Sequence, residues 1–224
     1  MSSRGRGPRL GGTYDNYPSP EWAVHRFLEH PDCPLVPGRW LDPNAGEGSL
    51  IRGARSFRGI RQDMITWDAV EIRDEAQAQL ASCLDVGSAR IRGDFLKTRA
   101  SDYVGGTMWS AVLTNPAFNV AEETLRHARA LAPRATIAFL MRVNFLAGHE
   151  RSEFMRNHVP DVFVLPNRPG FQAKGTDSCE YAWMVFPPLP VIRTVGALHI
   201  LKTTPLEIRK RDKARALALI GAAA

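Results

Sequence analysis

Leu41-Asp42-Pro43-Asn44-Ala45-Gly46-Glu47-Gly48-Ser49-Leu50 is the stretch that decides the fold. A short strand, Arg39 to Asp42, ends in an acid; a turn carrying Gly46 and Gly48 follows; a helix opens at about Ser49. Glycines in such a turn let a ligand come close to the backbone. The amides at the start of the helix favour an anionic group such as a carboxylate. A Gly-x-Gly after a strand also describes an ordinary tight turn, so its weight depends on what surrounds it.

Outward from this turn, strands alternate with helices. Trp67 to Ile72, Ala89 to Gly93, Trp109 to Thr114 and Ala135 to Met141 read as strands. Pro20 to His30, with Ser19 available as N-cap, Asp74 to Leu84 and Ala121 to Leu131 carry apolar residues at helical spacing. That alternation predicts an α/β domain whose mostly parallel sheet is covered by helices on both faces. Asp161 to Leu165 and Tyr181 to Phe186 lack a full helix between them, which predicts an antiparallel hairpin at one edge. Val195 to Leu201 is a candidate for one more strand. Residues 1–12 read as a flexible basic arm, 13–204 as a single domain, and 205–224 as a basic helix or tail with Arg209, Lys210, Arg211, Lys213 and Arg215.

Three further strand ends carry chemistry. Glu71 closes the second strand, where an acid accepts ribose hydroxyls in nucleotide-binding α/β folds; Ile72 beside it can pack on an adenine ring. Asp94, after the third strand, can accept from the exocyclic amine of that adenine. Thr114-Asn115-Pro116-Ala117-Phe118 closes the fourth strand and is the most informative segment. The lone pair of an aromatic amine is delocalised into its ring. A site that methylates the amine must therefore accept both N–H protons and turn the lone pair toward the methyl donor. The Asn115 side-chain oxygen and the Pro116 carbonyl are two such acceptors, and Phe118 can stack on an extruded base.

In this order, Asp42-Pro43 through Gly48, Glu71, Asp94 and Asn115-Pro116-Ala117-Phe118 resemble the class I amino-methyltransferases, and more closely the small DNA adenine-N6 methyltransferases of phages and prophages. Tyr17-Pro18-Ser19-Pro20-Glu21-Trp22 is similar to that family's N-terminal cofactor motif. Arg142-Val143-Asn144-Phe145-Leu146 is similar to its segment after the fifth strand. Leu165 through Phe171, and Thr176 through Trp183, are similar to its late hairpin. The resemblance implies a Rossmann-like sheet of seven strands binding S-adenosyl-L-methionine. Tyr17, Pro20, Asp42, Asn44, Gly46, Gly48, Glu71, Ile72, Asp94 and Asn115 would line the cofactor. Asn115, Pro116 and Phe118 would hold the target amine, Phe145 would form a second wall of the base pocket, and Arg168 and Lys174 would contact phosphate. Ala117 stands where the family usually has a second proline.

The bulk properties agree. Basic residues number 29 against 23 acidic, for a net charge of +6, which suits a polyanionic partner such as DNA, with RNA as an alternative. No apolar run is long enough for a membrane span, and the basic start lacks the apolar core of a secretory signal. Three widely spaced cysteines argue against a disulfide framework and for a reducing cytoplasm. There is no CxxC pair and no HExxH, so no metal site is expected. Rival readings are methyl transfer to RNA adenine, to a protein amide or to a small molecule, or a non-catalytic nucleic-acid-binding module of the same fold.

Overall fold

The structure is a computed structural model that describes residues 18–170 and 178–221. In chain order the elements are α1 Glu21–Leu28, β1 Gly38–Asp42, α2 Ser49–Ser56, β2 Ile65–Glu71, α3 Gln77–Ala81, β3 Arg90–Arg92 and β4 Ala111–Thr114. After these come α4 Ala121–Leu131, β5 Thr136–Arg142, α5 Ser152–Asn157, β6 Asp161–Leu165, β7 Tyr181–Phe186, β8 Leu198–Ile200 and α6 Leu206–Gly221.

Among the described residues the strands join one sheet of eight in the order β3-β2-β1-β4-β5-β7-β6-β8. The neighbours from β3 through β5 pair in parallel, and β7 runs antiparallel between β5 and β6. The architecture is the expected α/β one, with one more strand than the seven that the resemblance implied. That strand is β8, the candidate within Val195 to Leu201. It pairs in parallel with β6, and the Ala197 N–H donates to Asp161 Oδ1 at 2.6 Å. The sheet edge is therefore β8 rather than the β6–β7 hairpin.

Burial explains why these segments are strands. Every residue of β4 and of β7 is buried, as expected for strands covered on both faces. The residues facing the two sides form two apolar layers. One holds Trp40, Trp67, Trp183 and Phe27 with α1 and α2; the other holds Phe139, Phe186 and Leu125 with α4. Gly53 lets α1 and α2 approach, since a Cβ there would stand 3.0 Å from Val24 Cγ2.

Helix α1 starts differently from expectation. Its N-cap position is Pro20, with no side-chain cap, and Ser19 does not cap it. Asp212, buried on α6, accepts the Trp22 N–H at 2.9 Å and so satisfies an orphan donor of α1 from another helix. Helix α5, absent from the sequence reading, is six residues long and buries only Met155, too little for a periodic signal. Among the described residues no helix is long and apolar enough to cross a membrane.

Candidate active site

Strand order reverses between β1 and β4, whose chains continue into α2 and α4 on opposite faces of the sheet. A crevice forms outside the carboxyl ends of parallel strands at such a switch point. Asp42, Glu71, Asp94 and Asn115 lie at the ends of, or just beyond, four successive parallel strands, on this one rim of the sheet.

The β1 loop is built for close backbone approach. Gly46 and Gly48 adopt φ of +55° and +80°, a region that side-chain-bearing residues rarely enter. A Cβ on Gly48 would meet Cys83 Sγ at 2.8 Å, so the turn also needs glycine for packing against α3's exit. Asp42 is fully buried. Its Oδ1 accepts from Thr114 Oγ1 at 2.7 Å and from the Asn44 N–H at 3.2 Å. Burial is the main cause that pushes its carboxyl up to about 7, against the Thr114 and Asn44 hydrogen bonds and with a smaller push from Glu71.

Asp42 Oδ2, Asn44 Oδ1 and Ser19 Oγ are buried with no hydrogen-bond partner among the described residues. Buried acceptors of this kind are costly unless something donates to them. A ligand with an ammonium group beside a carboxylate, the methionyl end of S-adenosylmethionine, matches that donor deficit. Pro18 to Pro20 sits against this loop, for the Ser19 N–H donates to Ser49 Oγ at 3.0 Å. Tyr17 lies outside the described residues.

Glu71 is engaged more fully than its motif suggests. Its Oε2 accepts the Gly46 N–H at 2.7 Å, and its Oε1 accepts Arg73 N–H and Nε–H at 2.8 and 2.9 Å. Of the roughly four acceptor positions of a carboxylate, about one on Oε2 remains for a hydroxyl. Arg73 also reaches Glu47 Oε1 at 3.2 Å, so one buried guanidinium fixes the acid and the Gly loop together. Sequence reading passed over Arg73 because an arginine two residues past a strand end is unremarkable without the loop folded over it. Ile72 is 37% exposed beside Glu71, an apolar surface a flat ring could cover. Asp94 accepts the Leu96 N–H at 3.0 Å, which caps a short 3-10 turn and leaves the carboxylate half-buried.

Asn115 is half-buried and Pro116 buried. Phe118 packs beneath an arginine whose guanidinium carbon lies 4.3 Å from its ring centroid; that arginine, Arg142, donates from Nε to Tyr181 Oη at 3.1 Å. Arg142 and Tyr181 are register partners at the same rim, on β5 and β7. One face of the Phe118 ring thus carries a cation. Phe145 is 5% exposed and packs into the core with Arg151 over its ring. Arg168 is exposed and paired with Glu180, whose carboxyl it holds below the usual range. Lys174 lies outside the described residues.

No family model and no curated protein matches the chain. Solved structures do. A Listeria monocytogenes protein described as a class I S-adenosylmethionine-dependent methyltransferase matches with a TM-score of 0.59 at 12% identity, over 93% of this chain and 72% of that one. The methyltransferase subunit of a type I restriction-modification system from Streptococcus thermophilus gives 0.58 at 13%, over 91% of this chain and 52% of its own. The 23S rRNA methyltransferase ErmE gives 0.55 at 14%, over 92% and 80%. The chain spans about half the length of the restriction-modification subunit. The fold is thus the Rossmann-like one of S-adenosylmethionine-dependent methyltransferases.

Proposed function

We propose that this chain transfers a methyl group from S-adenosylmethionine to the N6 amine of adenine in DNA. The observation that carries the reading is the juxtaposition of two loops. Asn115-Pro116-Ala117-Phe118 follows directly on Thr114, whose hydroxyl is bonded to Asp42 at the root of the Gly46–Gly48 loop. Bound there, S-adenosylmethionine would supply an electrophilic methyl group. The protein's own part is positioning and hydrogen-bond polarisation. Asp42 and Asn44 hold the ammonium, Glu71 a ribose hydroxyl and Ile72 the adenine ring, with Asp94 at its amine. Asn115 Oδ1 and the Pro116 carbonyl accept the two protons of the target amine. Phe118 stacks on the base, which must leave the duplex to reach it. Basic groups, Arg168 among them, meet phosphate.

The test is transfer of tritium from labelled S-adenosylmethionine to unmethylated DNA, then digestion to nucleosides and mass spectrometry. Label in N6-methyladenosine of the deoxy series supports the reading. Label transferred only to an RNA or protein acceptor overturns the substrate. Failure to bind S-adenosylmethionine in calorimetry overturns the reaction and favours a non-catalytic nucleic-acid-binding module.

A further inference from the structure

We propose that His30, Asp32 and His199 form a binding site for a divalent transition-metal ion of the zinc type, separate from the candidate active site. The three residues come from two distant parts of the chain: the turn after α1 and the edge strand β8. One ligand atom from each lies within 4.8 Å of the other two. Nδ1 of His30 stands 3.8 Å from Asp32 Oδ2, and Nδ1 of His199 stands 3.6 Å from the same oxygen. Ligands at 2.0–2.2 Å in a tetrahedron are roughly 3.3 Å apart. A small inward movement of the Asp32 side chain, 65% exposed, brings its oxygen to that spacing from both nitrogens.

The rings are held in place without a metal. Phe163, buried on β6, stacks on His199 with centroids 4.3 Å apart and planes 13° from parallel, and meets His30 edge-on at 5.3 Å. His30 Nδ1 accepts the Asp32 N–H at 3.2 Å, so that nitrogen turns a lone pair rather than a proton into the cluster. An ion takes that lone pair over from a long hydrogen bond. Two imidazoles and one carboxylate are the ligand types that suit zinc, with water completing the fourth position. Bound, the ion ties the edge strand to the turn after α1.

The test uses the full chain without a histidine tag, stripped with chelator and titrated with zinc chloride by calorimetry. We expect one site per chain, lost in His199→Ala, weakened at least tenfold in Asp32→Asn and retained in His149→Ala, which alters an exposed histidine elsewhere. At a hundredfold excess of zinc over the wild-type Kd, the melting temperature rises by roughly 5 to 10 °C in the wild type and by no more than about half as much in Asp32→Asn, an exposed substitution compatible with folding. Cobalt(II) in place of zinc gives visible absorption bands in the wild type that His199→Ala lacks. No binding by the wild type, or equal binding by the wild type and both Asp32→Asn and His199→Ala, overturns the proposal.

Discussion

Thr114 Oγ1 donates a 2.7 Å hydrogen bond to Asp42 Oδ1, joining the last residue of β4 to the last residue of β1 across 72 positions of chain. Both side chains are fully buried. The bond links the loop that would hold the methyl donor to the loop that would hold the target amine. It also supplies one of the two donors that favour the ionised form of Asp42.

Thr114→Val keeps the shape and removes the donor. A hydrogen bond to a charged group contributes about 1.5–3 kcal/mol, against about 1 for a neutral pair. The Asp42 carboxyl should therefore titrate higher, by about one pH unit. The measurement is S-adenosylmethionine affinity against pH: the midpoint of the rise in affinity should move up in the variant. An unmoved midpoint would remove Thr114 from the site.

The pH dependence of Asp42 itself has a definite sign. Its carboxyl is raised from 3.8 to about 7. The folded state therefore favours the protonated form. The stability this gives is complete below pH 4 and is lost as pH rises through 7, on the order of 4 kcal/mol. Asp42→Asn carries no such dependence, so its melting temperature relative to the wild type should climb between pH 5 and pH 8. A ligand ammonium favours the ionised form, so wild-type affinity should rise over the upper part of this range while that of Asp42→Asn stays flat. Parallel curves for the two proteins would contradict the assignment.

Asn115→Ala removes one of two proposed acceptors for the target amine. Turnover should fall by at least a hundredfold, about 2.7 kcal/mol of transition-state stabilisation, while calorimetric affinity for S-adenosylmethionine changes less than threefold. Full activity in this variant would end the proposed role of Asn115.

Asp68 makes a prediction about stability alone. It is 1% exposed. It accepts the Trp109 indole N–H and the Ala89 N–H at 2.7 Å each and pairs with Arg39 at 2.7 Å. Asp68→Ala leaves a guanidinium and two N–H donors without their acceptor, a loss of about 3–5 kcal/mol. The melting temperature should drop by roughly 10 °C, with activity per folded molecule preserved. A drop of a degree or two would show that the surrounding donors find water instead.

Much of this molecule was legible in its sequence because it rests on local chemistry. Apolar periodicity marks β6, β7 and α4 at their observed bounds, since burial on both faces of a strand or along one stripe of a helix must be written residue by residue. The positive-φ turn needed glycine at 46 and 48. The order Asp42, Glu71, Asp94, Asn115 follows from parallel strands that all end at one rim. What sequence could not carry are contacts between residues with no fixed spacing. Arg73 clamps Glu71 only because the Gly46 loop folds over it. Asp212 serves α1 from inside a basic run on another helix. Arg142 lies over Phe118 only through strand register. His30, Asp32 and His199 form no motif, and become neighbours once β8 joins β6 beside the end of α1. Local patterns obey short-range backbone geometry; these pairings are decided by packing, which only the folded chain possesses.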